Sequence, residues 1–132
     1  LVKTKAGKQW TYFRKDCTFT PGKTYRVEFE VKLAGKGTDT SGADPSVSTA
    51  VYVNMRYKDS KGNIDHISGA NDSASMFVSL KVSDGWKRMS FEYTVDSAST
   101  DRSSDQFSIY ANPVGDEGAS YYIDNLVVTE LK

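Results

Sequence analysis

The chain has 132 residues, of which 38% are hydrophobic, and its 17 basic and 17 acidic side chains balance to a formal net charge of zero. That length suits one domain with a core of its own, and excludes dependence on disulfide or metal staples. Balanced charge gives no drive toward nucleic acid or an anionic membrane, and no apolar run nears the roughly 18 to 20 residues that cross a bilayer, so neither is expected as a partner.

Period-two alternation recurs between clusters of Gly, Ser, Asp, Asn and Pro, with almost no helical periodicity. This predicts an all-β domain, a β-sandwich of two antiparallel sheets. Strands are expected at about 9–19, 24–34, 48–58, 64–68, 76–82, 86–95, 106–112 and 120–131. The first carries KQWTYFRKD, where Trp10 and Tyr12 point one way and Thr11 and Phe13 the other. Cys17, at its end, is the only cysteine, and His66, the only histidine, falls on a separate strand candidate. Cys17 is therefore read as a small buried strand residue rather than a nucleophile or metal ligand. Pro21, Gly22 and Lys23 then make a tight turn.

The second strand alternates cleanly, with Tyr25, Val27, Phe29, Val31 and Leu33 inward and Arg26, Glu28, Glu30 and Lys32 outward. A polar loop at 35–46 follows. In the third strand Val51, Val53, Met55 and Tyr57 form the core set, leaving Tyr52, Asn54 and Arg56 on the opposite face. DSKGN at 59–63 reads as a hairpin loop rather than a calcium loop, because no acidic residue closes it at the needed spacing. WKRMSFEYTV turns Met89, Phe91, Tyr93 and Val95 inward against Arg88, Ser90, Glu92 and Thr94, and its opposed charges make it a neighbour of the second strand. Trp86, opening that strand on the charged sheet, is expected to serve stability. After a polar loop at 96–105, Phe107, Ile109 and Ala111 point inward and Ser108, Tyr110 and Asn112 outward.

Two kinds of outer face emerge. One sheet presents paired charge to water. The other sets Trp10, Tyr12, Tyr52 and Tyr110 among Asn54, Arg56 and Asn112, mixing flat rings with directional hydrogen-bonding groups. A pyranose offers an apolar patch of C–H groups for such rings and rim hydroxyls for amide and guanidinium groups. Aromatics and arginine also anchor protein interfaces, so a protein-contact or spacer domain of a cell-surface protein is the alternative.

Four segments, FTPGKTYRVEFEVK, VYVNMRYKDSKGN, DGWKRMSFEYTV and FSIYANP followed by YYIDNLVV, together resemble the β-sandwich carbohydrate-binding modules of families 4, 9 and 22. The resemblance implies a jelly roll that holds a glycan in a shallow groove on its concave sheet. It places Trp10 at the tryptophan preceding the PGKTY turn and Tyr110 at the tyrosine before the YIDN strand. Asn112 stands where xylan binders often have glutamate, and Lys5 and Lys8 only approximate an arginine of the pattern. A structural calcium, ligated by Asp124, is also implied, although the G-F-E segment that supplies its usual second ligand is missing. The chain is thus expected to be a single module over 1–132 that lacks the customary first N-terminal strand. It opens on Leu1 without a methionine, which points to a fragment cut from something longer or a processed product.

The resemblance further implies a monomer, extracellular or at the cell surface, that binds xylan first and β-glucan second and is attached to or inserted in a glycoside hydrolase of a secreting bacterium. Glycoside hydrolysis needs two carboxylates roughly 5 to 10 Å apart. Glu28, Glu30 and Glu92 fall on the charged face, and Asp65, Asp72 and Asp124 form no pair beside the aromatics, so no catalysis is expected.

Overall fold

The computed structural model of the chain describes residues 11–36, 44–62, 64–66, 77–95, 104–111, 114 and 117–131, with side chains at all of these except 11, 12, 16, 54–58, 64–66 and 104–107. Eight strands account for most of it: β1 (Thr11–Cys17), β2 (Thr24–Lys36), β3 (Ser48–Lys58), β4 (Ile64–His66), β5 (Phe77–Lys81), β6 (Lys87–Thr94), β7 (Ser104–Ala111) and β8 (Ala119–Leu131). A single 3-10 turn, Val82–Asp84, joins β5 to β6. No helix among the described residues is long and apolar enough to cross a membrane.

The strands form two antiparallel sheets. One has the order β1-β7-β3, with β4 and β5 paired to successive parts of the far edge of β3, and the other has the order β6-β2-β8. The alternation along β2 explains its central place. Its inward set, Tyr25, Val27, Phe29, Val31 and Leu33, is at most 7% exposed, and meets Val51, Val53, Leu80, Ile109, Ala111 and Tyr121 in one apolar core. Its outward charges find opposite charges on β6. Arg26 lies opposite Glu92, with Nη2 2.6 Å from Oε1, and Arg88 Nη2 reaches Glu28 Oε1 at 3.1 Å. Such exposed pairs set register more than they add stability. Cys17 is half-buried against the rim of the core rather than fully inside it.

The PGKTY turn is pinned at one end of the sandwich by Tyr25. Its hydroxyl accepts from the Thr20 amide at 2.9 Å and donates to Glu130 Oε2 at 3.1 Å, while Phe19 packs edge-on against the Tyr25 ring at 4.9 Å. Gly22 sits at φ 79°, in the left-handed region that favours glycine, and donates to the Val95 carbonyl at 2.8 Å. DSKGN is a turn, as expected. The Lys61 amide donates to Asp59 Oδ1 at 2.9 Å and the Gly62 amide to the Asp59 carbonyl at 3.1 Å.

In β8 the alternation breaks. Pairing with β2 slips between Glu28/Val127 and Glu30/Asp124, so that Asn125 and Leu126 together face the single position Phe29. Asn125 takes φ 51°, and its side chain donates to Glu30 Oε2 at 2.7 Å. The bulge turns Leu126 back to the core after Ile123, and puts half-exposed Val127 on the outer face.

Candidate functional site

In the sheet of β1, β7, β3 and β5, the register places four aromatic residues in one row across the strands. Tyr12 lies opposite Tyr110, Tyr110 opposite Tyr52, and Tyr52 opposite Phe77. The row is on the face away from the core, since its neighbours Val51, Val53, Ile109 and Ala111 are buried on the other. Tyr52 and Tyr110 stack with centroids 5.0 Å apart and planes within 10°, and Tyr52 meets Phe77 at 5.4 Å and 31°.

These distances change the expected picture of flat platforms. Two coplanar rings cannot approach so closely, so the rings overlap face on face and stand up from the sheet like plates in a rack. Tyr110 is only 9% exposed. Tyr52 has Tyr110 over one face and Phe77 over the other, which leaves the two tyrosines to present edges. Phe77, at the end of the row, is 39% exposed.

Of the expected site residues, the structure thus brings Tyr52 and Tyr110 together on one face, with the backbone of Tyr12 in the same row. The next row on that face holds the Asn54 backbone opposite Ser108, and the following one Arg56 opposite Gln106. Trp10 and Asn112 lie outside the described residues. Phe77 is the member of this row that sequence reasoning missed. Its strand was recognised, but the faces of FVSLK, with Leu80 fully buried and Phe77 and Ser79 exposed, were not sorted.

Asp124 sits on the other sheet, exposed on its outer face and opposite Glu30. Its Oδ1 accepts from the Asn125 amide at 2.8 Å, and Glu30 Oε2 is taken by Asn125 Nδ2. Among the described residues no three His, Cys, Asp or Glu side chains gather for a metal ion. Two carboxylates already engaged with Asn125 fall well short of the six to eight oxygens that calcium takes, so the described side chains alone do not fit the ion.

The carboxylates Glu28 and Glu92 lie on that same outer face, each paired with an arginine. Trp86 lies there too. It is 48% exposed and tilts against Tyr122 at 6.1 Å and 51°. The 3-10 turn before it is closed by Asp84, whose Oδ2 accepts from the Lys81 amide at 2.8 Å and lies 3.1 Å from Lys87 Nζ. The Lys81 amide, and then Lys87, hold this carboxyl below the usual carboxylate range.

Solved structures with this fold include a family 4 carbohydrate-binding module (TM-score 0.56, 13% identity, covering 92% of this chain and 61% of that one). They also include the CBM22-1 xylan-binding domain of Paenibacillus barcinonensis Xyn10C (0.61, 14%, 98% and 70%). A third is the C-terminal family 22 carbohydrate-binding module of Clostridium thermocellum Xyn10B (0.58, 17%, 97% and 69%). The chain therefore has the β-sandwich fold of carbohydrate-binding modules of the family 4 and 22 kind, and spans 61 to 70% of the length of these three chains. No protein-family model matches it. No curated protein sequence matches it either.

Proposed function

We propose that the chain is a non-catalytic module that binds a neutral β-linked plant polysaccharide, xylan first and β-glucan second, across the row Tyr12, Tyr110, Tyr52 and Phe77. The observation that carries this reading is the rack of rings on the non-core face of one sheet, ending in the exposed Phe77. Four strands span roughly 14 Å at the usual strand spacing, enough for a few sugar units laid across them. Phe77 stacks on one sugar face. The edges of Tyr52 and Tyr110 line the path, and Asn54, Arg56 and Asn112 supply hydrogen bonds beside it, with Trp10 as a further platform. Solved relatives in fold that are described as xylan-binding support the choice of ligand.

In this reading the module is a monomer outside the cell, and keeps an attached glycoside hydrolase near its substrate by raising effective concentration. A shallow, wet face gives dissociation constants on the order of micromolar to millimolar. Native gels cast with xylan, with mixed-linkage β-glucan or with neither test it. The protein is expected to be retarded by xylan, and Phe77→Ala to weaken retention about tenfold with its unfolding midpoint kept, because Phe77 is at the surface. Trp10→Ala is expected to abolish retention. Unretarded migration of the unaltered protein in both polysaccharides would remove the proposal.

A further inference from the structure

We infer that the outer face of the β6-β2-β8 sheet holds a second binding site, a cleft for a single neutral pyranose walled by Trp86 and Tyr122. The inference rests on the reading that the protein takes neutral glycans, and adds a site on the opposite sheet. Tyr122 lies opposite Lys32 of β2, and the pairing of Val31 with Lys87, carried one residue on, sets Trp86 opposite Lys32 from the other side. Residues on the two flanking strands would stand about 9 to 10 Å apart, two strand spacings. The ring centroids are only 6.1 Å apart, so the rings lean toward each other across the strand between them, and their 51° tilt keeps them from closing into a parallel stack.

The cleft is held ready. Trp86 follows a turn fastened by Asp84 to the Lys81 amide, and by the Val82 and Ser83 amides to the carbonyls of Val47 and Pro45 at 2.9 and 3.2 Å. An aromatic presented from a fastened turn loses little freedom when a ligand arrives.

Charge and size select the occupant. Lys87 is paired with Asp84 and Arg88 with Glu28, while Lys32 between the rings is followed on the same face by the carboxylates of Glu30 and Asp124, whose hydrogen bonds come from neutral Asn125, so the rim has donors and acceptors for hydroxyls but no net positive charge for an anion. A stable protein partner needs about 800 Å² of contact on each side. Two partly exposed rings offer on the order of 200 Å², and the sheet beyond them is ion-paired. One sugar ring, with its apolar C–H face against indole or phenol, matches that area.

Two sites on opposite sheets would let one molecule hold two glycan chains at once, or two points of one chain. The test is an amide and indole NMR titration with xylohexaose and with cellohexaose. The chain has two tryptophans, so two indole N–H signals are expected, and Trp10→Phe assigns that of Trp86. The inference expects the Trp86 signal to shift saturably in the unaltered protein and in Tyr52→Ala. Trp86→Ala should lose the perturbations at Lys32 and Tyr122 but keep those on β3 and β7. Perturbation of β3 and β7 with a motionless Trp86 signal overturns the second site and leaves the first standing. Loss of the Trp86 shift in Tyr52→Ala overturns it as an independent site. Silence at both faces with both sugars overturns this inference and the proposed function together.

Discussion

Tyr121 ties the two sheets through the middle of the core. It is fully buried on β8, and its hydroxyl donates to the carbonyl of Ile109 on β7 at 2.8 Å. Burial pushes its phenol pKa up, since the phenolate would lie in an apolar interior. An unfolded tyrosine titrates near 10, so Tyr121 contributes stability that is fully present below about pH 10 and declines as pH rises further, when the unfolded chain sheds a proton the folded one keeps. Tyr121→Phe is expected to cost about 1 to 2 kcal/mol at neutral pH through the lost hydrogen bond. The deficit against the unaltered protein should narrow at alkaline pH. Urea unfolding at about pH 8 and pH 11 measures both, and a deficit equal at the two pH values would refute the argument.

At the scale of elements, β8 depends on one residue that reverses the sense of its alternation. Asn125, at φ 51°, absorbs the extra position that lets Tyr121 and Ile123 face inward before the bulge and Leu126 after it. Asparagine tolerates that backbone and secures it through Glu30. Replacing it separates the two contributions. Asn125→Ala loses the hydrogen bond and keeps a Cβ in the left-handed region without the polar side chain that makes asparagine tolerate it, and is expected to lower stability by roughly 2 kcal/mol, whereas Asn125→Gly loses the same hydrogen bond but drops the Cβ penalty and should cost under about 1 kcal/mol. Equal urea midpoints for the two variants would show that the bulge stores no backbone preference. Register also built the ring rack, because only the pairing of Tyr52 with both Tyr110 and Phe77 makes the rings overlap.

For the molecule as a whole, the strand positions and the pairing of β2 with β6 were legible because alternation and opposed charges are local signals. In the parts of β3 and β7 whose side chains are described, the inward Val51, Val53, Ile109 and Ala111 were legible for the same reason. The rack was not, since ring orientation follows from cross-strand register, which no single segment contains. Phe77 escaped notice because FVSLK is short and bounded by polar sequence, and the contact of Trp86 with Tyr122 because it joins residues 36 positions apart through cross-strand register. The break in β8 did leave a trace, an inward spacing of three from Ile123 to Leu126 where two is the rule. The charge total was legible at once, and it makes a prediction about the ligand. A protein with no net charge that binds a neutral glycan gains nothing from long-range attraction, and exposed ion pairs such as Arg26 with Glu92 are screened without touching the aromatic face. Retention in xylan gels is therefore expected to stay constant as sodium chloride rises from about 0.05 M to 1 M, a range over which the screening length shrinks from more than 10 Å to about 3 Å. A steep loss of binding with salt would instead identify a charged partner held by Arg14 or Arg56, in the rows beside the rings on β1 and β3, and would set the stacked rings aside as its main contact.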